Sequence, residues 1–267
     1  MRNIKLTLAY DGSEFAGWQV QPNGLSVQAC VETAIEKLTQ QKSGVLVAGR
    51  TDAGVHALGQ VANFQTESSI PCKNILSGLQ RFLPDSICIR KVDEVDAEFH
   101  ATYSAVQKRY RYVIHNTAIV YPFLRRYVCE FGRPLNSDGM HTAGQYLLGM
   151  HDFRCFESHF PNKATSVRTI KELTVQRTSV WPVWNEGRLQ QTIDRNSTQG
   201  EFITIDIVAD GFLYNMVRAI VGTLLEVGVG RWSPGDVQKI LNSLDRSQAG
   251  ATAPANGLYL VQVDYEG

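Results

Sequence analysis

Residues 45–64 read VLVAGRTDAGVHALGQVANF. A short apolar run, VLVAG, enters a cluster of small and charged residues, and a second run, QVANF, leaves it. Both runs have the composition of strands, so the residues between them form a loop carrying Arg50, Asp52 and His56 around Gly49 and Gly54. Asp52 has two readings. As a turn residue it would bond its own backbone, the commonest use of an aspartate beside Ala-Gly. As a catalytic carboxylate it would stand where a rigid strand hands over to a loop, a frequent seat of chemistry. Arg50 is near enough to keep it ionised, and the bracketing glycines let a ligand or a second backbone come close.

Upstream, IKLTLAY (4–10) alternates Ile4, Leu6, Leu8 and Tyr10 with polar partners, the period of a half-buried strand. Ser26 stands at the N-cap position before Val27, Cys30, Val31, Ala34, Ile35 and Leu38, whose spacing predicts an amphipathic helix over 27–40. A second helix is expected after Pro71, with Ile75, Leu76, Leu79 and Phe82 inward, then a strand at 86–92, with the acidic DEVDAEFHA (93–101) as a connection. AVQKRYRYVIH (105–115) reads as a long strand, followed by a helix near 137–148 and strands at 170–176, 189–193 and 201–208. DGFLYNMVRAIVGTLLEVG (210–228) predicts a long helix burying Phe212, Met216, Val217, Ile220, Val221, Leu224 and Leu225. Ser233, Pro234 and Asp236 mark the cap, first and third positions of another helix, and GLYLVQVDY (257–265) closes as an alternating strand. Each half repeats a strand, helix, strand rhythm. The fold class expected is α+β, with two related lobes, 1–104 and 105–267, and helices packed on one face of a sheet.

The composition is that of an ordinary globular chain: 267 residues, 43% hydrophobic and 19% charged. Lys plus Arg balance Asp plus Glu at 26 each, so any attraction to nucleic acid must come from a local basic face. The five cysteines, Cys30, Cys72, Cys88, Cys129 and Cys155, form no Cys-x-x-Cys pair and read as reduced thiols. No signal-peptide core precedes Asp11, and AIVGTLLEVGVG is interrupted by Glu226 and too short to span a bilayer. A soluble, cytoplasmic protein is expected, and the sequon at Asn196 reads as a chance match.

Other clusters have blander readings. His56 with Asp52 supplies too few ligands for a metal, and no His-Glu-x-x-His or paired-cysteine motif adds more, so no metal is expected. HDFRCFESH (151–159) spaces His151, Cys155 and His159 by four, but its phenylalanines and Pro161 favour packing. In KRYRYVI (108–114), Lys108, Tyr110, Tyr112 and Ile114 share one face of a strand and Arg109 and Arg111 the other. Across 105–133, Lys108, Arg109, Arg111, Arg125, Arg126 and Arg133 face one acid, Glu130. Such a mixture of cations and rings suits a solvated basic face, and equally a surface for single-stranded RNA. Arg218 lies among apolar neighbours, so it either snorkels to the surface or meets a carboxylate, for which Asp52 is the favoured candidate.

Taken together, YDGSEFAGWQVQP, SVQACVETAI, AGRTDAGVHALGQVANF, KRYRYVI, HDFRCF, NMVRAIVGTLLEVG and AGATAPANGLYLVQVDY closely resemble the TruA family of tRNA pseudouridine synthases, in the same order from about residue 4 to residue 265. The resemblance implies an isomerase acting on uridines 38, 39 and 40 of the tRNA anticodon stem-loop, with no cofactor and no metal. It implies a homodimer, and two lobes sharing a central, largely antiparallel sheet with a cleft between them. Carried over by motif, Asp52 is the nucleophile, Tyr110 contacts the target uracil, Arg218 pairs with the nucleophile, Arg50 takes part in base flipping, and Leu258 walls the pocket. The run 177–202, with Trp181, Pro182 and Trp184 near its start, is longer than the family's hairpin and reads as an extension. Two rivals are a non-catalytic RNA-binding module and a metal-dependent phosphoesterase built on Asp52 and His56; the latter needs more ligands than the chain supplies.

Overall fold

The computed structural model describes residues 1–22, 24–119, 121–158, 165–183 and 200–266. Among them are ten strands: β1 (Arg2–Tyr10), β2 (Leu46–Val47), β3 (His56–Thr66), β4 (Ile87–Val95), β5 (Ala105–His115), β6 (Cys129–Glu130), β7 (Gly149–Asp152), β8 (Val167–Thr178), β9 (Phe202–Ala209) and β10 (Leu258–Tyr265). The helices are α1 (Val27–Thr39), α2 (Cys72–Phe82), α3 (Ser137–Gln145), α4 (Met216–Gly228) and α5 (Pro234–Ser243). The strands belong to one mostly antiparallel sheet, which makes the fold mixed α+β as expected. The chain divides into two compact units, 1–108 with 259–267, and 109–258.

In the first unit the strand order is β4-β1-β3-β10, with β2 beside β3. β1 is antiparallel to both β3 and β4, while β10 runs parallel to β3. The alternation read in IKLTLAY is realised: Ile4, Leu6, Leu8 and Tyr10 are buried. α1 begins where Ser26 Oγ accepts the Ala29 N–H at 3.2 Å and buries Val27, Val31, Ala34 and Ile35. α2 follows Pro71 and buries Ile75 and Leu79, but Phe82, expected inward, is 39% exposed at the helix end. The acidic connection is also shorter than expected. β4 continues to Val95, which pairs with Asn3 of β1, and Arg2 reaches Glu94 across the same strands at 2.8 Å.

In the second unit β9 lies between β5 and β8, with β7 at the edge and β6 beside β5. All eight residues of β9 are buried, although its sequence alternates Ile203, Ile205 and Ile207 with Thr204 and Asp206. α4 buries every residue except Arg218 and Glu226. It starts at Met216, later than expected, because Asn215 takes a left-handed conformation (φ 60°) that cannot continue a helix, and Phe212 lies half-buried ahead of it. α3 ends at Gln145, short of the expected 148. α5 starts as its motif dictates: Ser233 N–H and Oγ–H both donate to Asp236 Oδ2, at 2.9 and 2.7 Å. The strand expected at 189–193, Asn196 and Trp184 lie outside the described residues.

Candidate active site

The loop 48–55 joins β2 to β3, and its shape is imposed from outside as much as by its own glycines. Val55 N–H donates to Asp52 O at 3.1 Å, closing a tight turn that Gly54 completes with φ 78°. The turn reading of Asp52 therefore holds for its backbone. Around that turn, Trp18 N–H donates to Thr51 O at 3.0 Å, and Tyr10 Oη lies 2.8 Å from Thr51 Oγ1. Gln60 Nε2 donates to Gly49 O at 2.8 Å and to Tyr10 Oη at 3.3 Å. A Cβ on Gly12 would collide with the Val55 carbonyl oxygen, and one on Gly17 (φ +104°) would stand 2.7 Å from Thr51 O. The segment from Tyr10 to Trp18 is thus laid directly on the main chain of the loop. Burial pushes the Tyr10 phenol up to about 12, although its bonds to Thr51 and Gln60 pull the other way.

Asp52 is half-buried at the tip of this clamped loop, and Arg50 is exposed beside it. Lys108 at the start of the basic strand comes back to the same place: a Cβ on Gly49 would meet Lys108 Nζ at 3.4 Å. His56 is 2% exposed. Its Nδ1 lies 3.0 Å from the Gly12 nitrogen, and the ring stacks on Tyr259 with centroids 4.8 Å apart. Asp11 Oδ1 lies 3.2 Å from the same nitrogen. His56 is a pillar under the loop.

Tyr110, Arg218 and Leu258 belong to the second unit. Tyr110 is 7% exposed and meets Phe212 edge-on, with ring centroids 4.9 Å apart. Two residues on, Tyr112 donates its hydroxyl to Pro254 O at 2.8 Å. Arg218 Nε donates to Ala253 O at 2.7 Å, and Ala253 N–H returns a bond to Arg218 O at 3.1 Å. Gly222 in α4 leaves no room for a Cβ beside Ala251 O, and Gly250 N–H donates to Thr223 Oγ1 at 2.9 Å. The loop 249–254 is therefore fastened along α4 and feeds into β10, whose first residue, Leu258, is buried.

The basic strand is largely neutralised within its own unit. Arg111, 9% exposed, faces Asp206 through Nε at 3.0 Å and donates Nη1 to Pro182 O at 2.7 Å. Arg109 pairs with Glu172 at 2.8 Å, and Arg125 Nε lies 3.5 Å from Glu130. Of the six cations over 105–133, Arg109 and Arg111 meet acids on β8 and β9, which are distant in sequence. HDFRCFESH is packing, as favoured. Phe153, Cys155 and Phe156 are fully buried, His151 Nε2 lies 2.8 Å from Leu148 O, and burial pushes the Cys155 thiol up to about 12. His159 lies outside the described residues. Of the long run 177–202, Trp181 packs edge-on against Phe202 at 5.5 Å and Val183 is buried.

Sequence reasoning overlooked the residues that build the Asp52 loop: Tyr10, Gly12, Gly17, Trp18 and Gln60. Two glycines interleaved with aromatics in YDGSEFAGW were the available signal, since such spacing suits close packing against a backbone.

A family profile described as tRNA pseudouridine synthase matches residues 7–104 and 143–266, most of the chain. The chain belongs to that family, a class of isomerases. Among its relatives are the tRNA pseudouridine synthase A of Acetivibrio thermocellus, 44% identical over 265 residues, and that of Brevibacillus brevis, 42% identical over 265; each match covers 99% of this chain and all of the relative. Asp52, Arg50, Arg218 and Leu258 fall inside the stretches matched by the profile, and Tyr110 falls between them.

Proposed function

We propose that this chain converts uridine to pseudouridine at positions 38, 39 and 40 of the tRNA anticodon stem-loop, with Asp52 as nucleophile. The C1′–N1 bond breaks, the uracil turns, and C5 bonds to C1′; C5 gives up its proton and N1 gains one. Atoms and electrons balance within the substrate, so the reaction requires no redox partner. A carboxylate suits a sugar or base carbon as nucleophile because it can attach and leave again. Arg218 keeps Asp52 ionised where low polarity would otherwise protonate it. Tyr110 contacts the flipped uracil and takes the C5 proton, Leu258 walls the pocket, and Arg50 assists the base out of its stack, a step that costs a few kcal/mol.

In this reading the lobe 1–104 supplies the aspartate loop and the lobe 105–267 the tyrosine strand and the arginine helix, on either side of a cleft. Helices cover one face of the sheet, and a homodimer in the cytoplasm binds each tRNA across both subunits. Among the described residues no helix is long and apolar enough to cross a membrane. The observation that carries the assignment of Asp52 is the clamped turn at 48–55, which holds a half-buried carboxylate at its tip. The test is tritium release from C5-labelled uridine in unmodified tRNA, followed by mapping of the modified positions. Asp52→Ala is expected to abolish release while tRNA binding persists; substantial turnover by the variant overturns the assignment.

A further inference from the structure

Asn215 has no part in the assignments above, yet it touches one of them from an unusual backbone position. It lies in the left-handed region (φ 60°, ψ 5°) at the head of α4, and its carbonyl accepts the Ala219 N–H at 2.9 Å. Its side chain does not cap the helix, whereas Ser26 and Asn136 cap theirs. The amide is used elsewhere. Oδ1 accepts from Arg218 Nη1 at 3.0 Å, and Nδ2 donates to Ser158 Oγ at 2.9 Å. Ser158 is itself tied down, because its backbone N–H donates to Tyr214 O at 3.1 Å.

Arg218 Nε is meanwhile bonded to Ala253 O at 2.7 Å. Two nitrogens of a planar guanidinium held by two oxygens of separate segments define its plane and the direction of its remaining donors. The residue type follows from three demands made at once. The left-handed region favours Gly, Asn and Asp. Gly lacks the amide. Asp could face Arg218 and accept from the Ser158 hydroxyl, but it would set a second carboxylate against the guanidinium. Asn meets all three demands.

We propose that Asn215 is a positioning residue for the isomerisation: its amide aims the Arg218 guanidinium, and through it steadies the reacting carboxylate. This rests on the reading that Arg218 serves Asp52. A guanidinium free to turn would hold that carboxylate less firmly in its ionised, aligned form. The chemical step would suffer while RNA binding would not.

The experiment compares Asn215→Gly, which keeps the left-handed backbone and removes the amide, with Asn215→Asp and Ser158→Ala, using Asp52→Ala and Arg218→Ala as references. Single-turnover conversion of unmodified tRNA, tRNA Kd, thermal unfolding and the pH–rate profile are measured for each. Asn215→Gly is expected to slow conversion by about 10- to 100-fold, the effect of a small misplacement at a reacting group. Its Kd and unfolding temperature should match wild type, and the acid limb of its profile should move to higher pH. Asn215→Asp should slow conversion despite keeping the backbone, and Ser158→Ala should slow it less. A wild-type rate in Asn215→Gly, with Asp52→Ala and Arg218→Ala inactive, overturns the positioning role and leaves the function standing. Loss of rate in step with loss of stability or of tRNA affinity in both Asn215→Gly and Ser158→Ala makes the contact merely structural and overturns it too. Wild-type turnover by Arg218→Ala overturns the underlying reading itself.

Discussion

Trp18 donates its backbone N–H to the carbonyl oxygen of Thr51 at 3.0 Å, and Gly17, just before it, lacks a side chain where that same carbonyl stands. The segment between β1 and α1 thus sets the height of the Asp52 loop. Gly17→Ala would face both the carbonyl and a φ of +104° that alanine rarely adopts. It is expected to cost about 1–3 kcal/mol of stability. It should also lower the single-turnover rate by about 100-fold, because the loop must shift to make room. Denaturant unfolding and single-turnover conversion, run on the same preparation, measure the two effects. A variant with wild-type turnover would show that the loop tolerates displacement.

The buried Tyr10 phenol predicts a pH dependence. Its pKa is raised from 10 in the unfolded chain to about 12 in the fold, so the protonated form is favoured by folding. The corresponding stability is fully present below pH 10 and is lost as pH rises from 10 to 12. That difference corresponds to roughly 3 kcal/mol. Unfolding free energies measured across that window should fall in wild type and fall less steeply in Tyr10→Phe. Identical slopes would mean that other groups govern the alkaline transition.

Arg111 and Asp206 form a buried pair, and Arg109 and Glu172 an exposed one. Burial pushes the Asp206 carboxyl up while Arg111 pulls it down. Asp206→Ala, which leaves a guanidinium buried without its partner, is expected to destabilise by about 3–5 kcal/mol. Glu172→Ala should cost at most about 1 kcal/mol. Equal losses in denaturant unfolding would place the two pairs in the same environment, against the geometry.

Tyr110→Phe keeps the ring and removes the hydroxyl. If the hydroxyl takes the C5 proton, single-turnover conversion should drop by about 100-fold or more, the usual contribution of a positioned base, with tRNA Kd unchanged. A wild-type rate would confine Tyr110 to packing and base contact.

Much of the architecture was legible because local chemistry and tertiary structure agree. Ser26, the Ser233–Pro234–Asp236 box and the alternation of β1 and β10 each specify an element through neighbours within a few residues. The misreadings share a different cause. α4 was extended back to Asp210 because DGFLYN is apolar enough to join a helical stripe, and the left-handed Asn215 leaves no trace in periodicity. Sequence periodicity also could not show that Arg109 and Arg111 meet Glu172 and Asp206, because those acids lie on β8 and β9, 63 and 95 residues away. The same holds for the candidate site. Asp52 could be singled out from its motif, but Gly12, Gly17 and Trp18 hold its loop from a distant segment through main-chain contacts, which side-chain patterns do not reveal.

The way that loop is fastened bears on who bends for whom. Main-chain bonds from Trp18 and Val55, a glutamine on one carbonyl and a buried tyrosine behind it leave 48–55 little freedom to fold over an incoming nucleotide. The protein brings a stiff template to the encounter, and preorganisation of this kind spares rearrangement at the moment of reaction. Conformational adjustment then falls on the RNA, so the pliability of a given anticodon arm, more than any movement of the enzyme, should decide how readily its uridines are converted.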